Sequence, residues 1–225
     1  MQKNQNAFSL IECMIALSLG MLLCVGIFSL FNAIKTLHRR QVLIATAQNQ
    51  MRFINSFLSE KIHMAGNFSC ISTNEEPQLP IVQSFDAITA KRVLSLTIKP
   101  ETVLLQLREC IRFHDRFQYL PVAFFIADTH RITRSKKTIN ALFIKIGDHP
   151  REELITGMVN FQVHLYSAFQ HTENIQAIEI DYLLSSIDDV LTHPQSYWFN
   201  GNTVIASDRA LYQSGILYAV VQKYL

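Results

Sequence analysis

Charge is scarce in this 225-residue chain: Asp, Glu, Lys and Arg make up 17% of it, against about 25% in a typical globular protein. Apolar residues reach 49%, so the chain can bury a real core and wholesale disorder is excluded. A formal charge of +2 and a pI of 8.3 leave no electrostatic footprint of a dedicated nucleic-acid binder. Seven glycines and six prolines exclude collagen-like and low-complexity architectures, and no repeat is visible. The cysteines, Cys13, Cys24, Cys70 and Cys110, form no CxxC pair, which argues against a structural zinc site. Catalytic signatures are missing too. None of the eight histidines sits in HExxH or HxH, and no GxSxG or phosphate-cradling glycine loop is present. His114-Asp115, within RFHDRF, reads as a solvated turn, and Asp188-Asp189 lacks the spacing of a calcium loop. The chain reads as a non-enzyme with no catalytic residue, no metal and no cofactor.

The missing charge has an address. Between Lys3 and Lys35 the one charged residue is Glu12. Residues 10–34, LIECMIALSLGMLLCVGIFSLFNAI, are apolar all round apart from Glu12, Ser18, Ser29 and Asn32. As a helix they are long enough to cross a hydrocarbon core of about 30 Å. A soluble core helix would show a polar stripe. A secretory signal would have a shorter apolar region and a small-residue cleavage site at its end. Glu12 by itself leaves two readings open. A carboxylate in an apolar span is costly unless paired, and so marks function. At a helix N-terminus it can also reach interfacial water, where the helix dipole favours an anion.

Residues 7–23, AFSLIECMIALSLGMLL, resemble the type IV prepilin signature, in which a short basic leader ends in a small residue, then Phe, then S/T-L-I-E and an apolar helix. The resemblance implies a leader at 1–7, cleavage between Ala7 and Phe8, and N-methylation of the new Phe8 amine by the family's peptidase. Glu12 becomes the fifth residue of the mature chain and would be a subunit-docking residue, not a catalyst. The family usually has Gly before the cut; this chain has Ala7. Charge alone, with Lys35, Arg39 and Arg40 after the span and Lys3 before it, points the C-terminus at the cytoplasm. The resemblance implies the reverse, because the leader is read on the cytoplasmic face.

Beyond the span, Leu37, Ile44, Met51 and Leu58 recur every seven residues, with Ala47 and Ile54 interleaved and Gln41, Gln48, Asn49 and Asn55 opposite. The pattern predicts a helix running on to about Met64, ended by Gly66. Its apolar stripe suits packing on a β-sheet better than a coiled coil, being short and weak at its second position. The whole helix would run about 80 Å. A second resemblance, to PilW-type minor pilins, lies in residues 51–70 through Arg52, Phe53, Leu58, Met64, Ala65, Gly66 and Cys70. Weaker echoes follow at 153–166, 176–186 and 208–213.

Strands are expected at 93–98 (VLSLTI), 103–107, 122–127, 142–146, 161–166 and 178–184, punctuated by Pro100, Gly147-Asp148 and Gly201-Asn202. Residues 187–202, with the single tryptophan Trp198, read as a surface excursion. With the resemblance, the expected fold class is α+β and type IV pilin-like: leader 1–7, transmembrane helix 8–36, amphipathic continuation 37–66, and a periplasmic β-rich head 67–225 formed by an antiparallel sheet.

Cys13 and Cys24 fall in the apolar span as small hydrophobes. With the head outside the cytoplasm, Cys70 and Cys110 are expected to form a disulfide, the alternative being two buried thiols. Arg131, Arg134, Lys136 and Lys137 form a basic cluster of the kind that contacts DNA phosphates. Without interleaved aromatics for base stacking, it reads first as a solvated hairpin.

The resemblance implies a single-pass inner-membrane protein that passes into the pilus, at or near its tip. Its partners would be other minor pilins, the major pilin, the prepilin peptidase, the inner-membrane assembly platform and membrane lipid. A minor pseudopilin of a type II secretion system, a signal-anchored periplasmic binding or enzymatic domain, and a DNA-capturing pilin are the alternatives.

Overall fold

The computed structural model describes residues 10–67, 69–70, 80–113, 116–133, 136–167 and 175–221. The chain divides into two compact units, residues 1–45 and 46–225. One continuous 55-residue helix, α1 (Leu10–Met64), supplies the described part of the first unit and opens the second.

The second unit is α+β. Its elements after α1 are β1 (Val82–Asp86), α2 (Ala87–Leu94), β2 (Val103–Phe113), β3 (Arg116–Ile132), β4 (Thr138–Ile146), β5 (Glu152–Thr156), β6 (Met158–Ser167), β7 (Ile175–Ser185), β8 (Ser196–Phe199), β9 (Asn202–Ile205) and β10 (Tyr212–Val220). All paired strands are antiparallel. They form a five-stranded sheet in the order β1-β2-β3-β4-β5, a three-stranded sheet β10-β7-β6 and a β8-β9 hairpin. One antiparallel sheet was the expectation. The turn at Gly157 separates the two larger sheets: its φ of +86° leads the chain from β5 into β6, and its N–H donates to Asn140 O.

The sheets exist because the strand sequences carry two apolar sets. On β3, Val122, Phe124 and Ile126 enter one core while Ala123, Phe125 and Ala127 enter another. β4 divides likewise, Leu142 and Ile144 against Ala141 and Phe143. A sheet covered on both faces reads as a continuous apolar run, as AFFIA and ALFI do. The larger core lies between this sheet, the inner face of β6-β7-β10 and the end of α1, which contributes Ile54, Leu58 and Ile62. Met51 packs against the same core. The stripe's later members Met51, Ile54 and Leu58 therefore pack on β-sheet, joined by Ile62, which the sequence reading did not name. The stripe's earlier members Leu37 and Ile44, in the first unit, are exposed.

The smaller core needs α2, which the sequence reading missed. Residues 93–98 are not a strand: Val93 and Leu94 end α2, Ser95 turns at φ 54°, and 96–98 follow without strand pairing. The reason lies upstream. Asp86 caps the helix by accepting from the Thr89 N–H at 3.2 Å, and Lys91 and Arg92 occupy the last turn, where cations suit the dipole. Alternation alone mistook a helix end plus a core-facing Ile98 for a strand.

The expected surface excursion at 187–202 is in part the β8-β9 hairpin. Asn200 and Gly201 take the two positive-φ positions of its turn, the Asn-Gly pair favoured for two-residue hairpins. Trp198 is exposed on it, while Phe199 is buried and Tyr197 stacks on Tyr212 at 4.7 Å.

Candidate functional site

The N-terminal part of α1 is the chain's most unusual surface. From Leu10 to Ile34 its large apolar side chains are exposed. It is the one described helix long and apolar enough to cross a membrane, and its most apolar stretch is exposed among the described residues. Two hydroxyls within and beside this surface are satisfied by the helix itself. Ser18 Oγ donates to Ile15 O and Thr36 Oγ1 to Asn32 O, each at 2.9 Å, the local bonding that lets hydroxyls enter a medium without water. Glu12 sits exposed in the first turn of α1, where an anion is favoured by the helix dipole. Ala7 and Phe8 lie outside the described residues. Cys13 and Cys24 are free and exposed on the same apolar segment.

In the second unit Cys70 and Cys110 are joined as a disulfide with their Cα atoms 5.8 Å apart. The bond ties the chain just past α1 to β2. The same junction is held by the Gly66 N–H, which donates to Arg108 O at 3.0 Å with Gly66 at φ +79°. Lys61 reinforces it by meeting Glu109 at 2.6 Å, and only 3% of the Glu109 side chain is exposed. A buried carboxylate held this way is costly to leave alone, so Lys61 also fixes the register of helix on sheet. Sequence reading missed this pair, because 48 residues separate its members.

The basic cluster is brought to the β3-β4 turn, and two of its members are already partnered there. Arg131 is paired with Glu153 and Lys137 with Asp208. Lys136 is exposed at the turn with φ 61°. Arg134 and the His114-Asp115 pair lie outside the described residues. Asp208 also accepts from Tyr212 Oη and the Ala210 N–H, both at 3.0 Å. Burial alone would raise its pKa, but these bonds and Lys137 together hold it below the ordinary value. Burial, with the bond to Asp208, pushes Tyr212 well above the usual phenol range. Beside this cluster a cleft of about 160 Å³ runs between Asn140, Ser186, Asp189 and Tyr212. It is well short of the about 300–1,000 Å³ of ordinary ligand pockets. Among the described residues no group of three or more His, Cys, Asp or Glu side chains could hold a metal ion.

A second polar group escaped the sequence reading. On the outer face of the three-stranded sheet Glu179 accepts from Tyr166 and, at 3.0 Å, from Tyr218. His164 Nε2 lies 3.5 Å from Asp181. The bond from Tyr166 chiefly lowers the Glu179 pKa, while burial chiefly raises that of Asp181, with Glu179 adding to it. The signal was the alternation Glu179-Ile180-Asp181 within an apolar run, which turns both acids to one face.

Among the described residues the most specialised surface is the N-terminal part of α1. Residues 2–28 match the family model described as "Prokaryotic N-terminal methylation motif". Comparison with curated proteins and with solved structures gives no match. The motif, the long apolar helix and the antiparallel sheets packed on its far end together support a membrane-anchored protein of type IV pilin or pseudopilin character.

Proposed function

We propose that the chain is a minor pilin of PilW type, matured by the prepilin peptidase and acting in the priming and assembly of a type IV pilus. The observation that carries this reading is the methylation motif at residues 2–28, which overlaps an apolar helical stretch whose large apolar side chains are exposed from Leu10 to Ile34. The finer assignment rests on the likeness of residues 51–70 to PilW-type sequences. Its action is mechanical. Cleavage after Ala7 frees the Phe8 amine, and Glu12 of an incoming subunit pairs with such an amine on a neighbour inside an apolar environment. In low dielectric that attraction is strong, and removing one charge leaves the other buried and unpaired. Other minor pilins, the major pilin, the assembly platform and membrane lipid are the partners in this scheme, and the head rides outward to the pilus tip.

Mass spectrometry of the intact protein from its native membranes tests the first step. A chain beginning at methylated Phe8, found only when the peptidase is present, is the expected result; a chain beginning at Met1 in both cases refutes it. Deletion and Glu12→Ala should each reduce piliation. Loss of protein secretion with pili intact would assign the chain to a type II secretion system as a minor pseudopilin.

A further inference from the structure

The three-stranded sheet ends in a strand built differently from the other sheet edges. β1 and β5, the edges of the larger sheet, are five residues long; β1 ends in Asp86 and β5 carries Glu152 and Glu153. Short length and charge are the usual protections against unwanted strand pairing. On β6, the loop before β2 covers part of the edge: Lys99 donates to Val159 O, and Gln162 donates to Glu101 O at 2.7 Å. Among the described residues the middle of β10 has neither protection. Its nine residues, YQSGILYAV, include no charge and no proline.

The hydrogen-bond phase of β10 follows from its register. Val221 N–H donates to Gln176 O, directly opposite in the same ladder. Narrow pairs alternate along an antiparallel ladder, so residues 213, 215, 217 and 219 direct their N–H and C=O groups at β7. Those of Ser214, Ile216, Tyr218 and Val220 point the other way. Val220 O is met by His63 Nδ1 at 3.1 Å. Among the described residues no strand pairs with the edge that Ser214, Ile216 and Tyr218 present. Their side chains are open as well: Ile216 is 41% exposed, Tyr218 69% and Val220 59%.

The adjoining face carries two carboxylates, with His164 of β6 3.5 Å from one of them, Asp181. Glu179 and Asp181 stand on the neighbouring strand; Asp181 is buried, while Glu179 is held between Tyr166 of β6 and Tyr218 of β10, whose Oη donates to it at 3.0 Å. A cation on an added strand opposite Tyr218 would lie over an aromatic ring and near Glu179, two favourable contacts at once.

We infer that the outer edge of β10 is a docking site for an extended strand of a partner protein, a strand with Lys or Arg at alternate positions and small apolar residues between them. Main-chain bonds to Ser214, Ile216 and Tyr218 supply the affinity, and the Tyr218–Glu179 face selects the basic strand.

The test uses the full chain in detergent micelles and a labelled decapeptide of alternating lysine and valine. The wild-type chain should bind it, with affinity falling as salt rises and falling at least fivefold in Glu179→Gln. Ile216→Pro deletes only an outward N–H and should leave the β7 ladder intact; binding should drop at least tenfold. Amide exchange on the wild-type chain needs no variant: the Ile216 and Tyr218 amides should exchange quickly alone and at least tenfold more slowly with peptide. Unchanged exchange at these two amides overturns the inference, as does undiminished binding by a folded Ile216→Pro chain. Equal binding of a glutamate–valine peptide overturns the choice of a basic strand. Peptide-independent dimers abolished by Ile216→Pro overturn the assignment to a separate partner and make the occupant a second copy of this chain.

Discussion

Gly215 is the position where one added methyl group should do the most damage. It lies opposite Tyr182 in the β10-β7 ladder. A Cβ there would stand 2.3 Å from Tyr182 Cζ, 2.4 Å from its hydroxyl oxygen and 2.6 Å from Cε2. The ring cannot swing aside freely, being fully buried, with its hydroxyl donating to Asn55 Oδ1 on α1 at 2.8 Å. That burial pushes the Tyr182 pKa up to about 12, the Asn55 bond offsetting only part of the effect. Gly215→Ala therefore overpacks the core at about 1–3 kcal/mol. It also strains or breaks a buried hydrogen bond, worth about 1–3 kcal/mol when a group is left unsatisfied. Loss of backbone freedom in the unfolded chain works the other way, by about 0.4–1 kcal/mol. The net destabilisation is on the order of 2–4 kcal/mol, which for a domain of this size lowers the melting midpoint by about 5–15 °C. Near-ultraviolet circular dichroism of the full chain in micelles, followed through thermal unfolding, measures this directly. A midpoint within about 2 °C of wild type would refute the reasoning. The mechanism is checked by repeating the substitution in Tyr182→Leu, where the ring is gone. There the cost of Gly215→Ala should shrink by at least about 1 kcal/mol, the coupling expected of residues in direct contact.

Two further outcomes follow from the head. Cys70→Ser opens a loop of 40 residues and should cost about 4 kcal/mol by the chain-entropy relation; an unchanged denaturation midpoint would show that the bond does not constrain the unfolded chain. Asp208 is a carboxyl held below its ordinary 3.8, so it contributes stability wherever it is ionised in both folded and unfolded states. That contribution is complete above about pH 4–5 and drains away as pH falls through the lowered folded value. Asp208→Asn should therefore melt lower at pH 7 yet converge on wild type in acid. A constant gap between the two chains from pH 7 to below about pH 3 would contradict this assignment.

Local chemistry was legible in the sequence wherever its effect needs only neighbours along the chain. The apolar run at 10–34, its isolated Glu12 and the methylation motif over 2–28 are one-dimensional signals, because membrane crossing and a motif are both properties of a continuous segment. The stripe through Met51, Ile54 and Leu58 and the stop at Gly66 likewise rest on helical period and one backbone conformation. Five of the ten described strands, β2, β3, β4, β6 and β7, announced themselves by apolar content, whereas β1, β5, β8, β9 and β10 were not expected. The failure at 93–98 came where a cap at Asp86 competed with alternation, and local hydrogen bonding won. What the sequence could not reveal was which face of each strand meets which layer. That choice divided one expected sheet into a five-stranded and a three-stranded one around the end of α1, placed Tyr182 between Gly215 and Asn55, set Lys61 against Glu109, and neutralised Arg131 and Lys137 with distant carboxylates. Each of these contacts joins residues far apart in the chain, so its energy appears only once the chain has closed the loop between them. The apolar anchor was thus determined by sequence alone, while the open edge of β10 and its acidic border were decided by tertiary pairing.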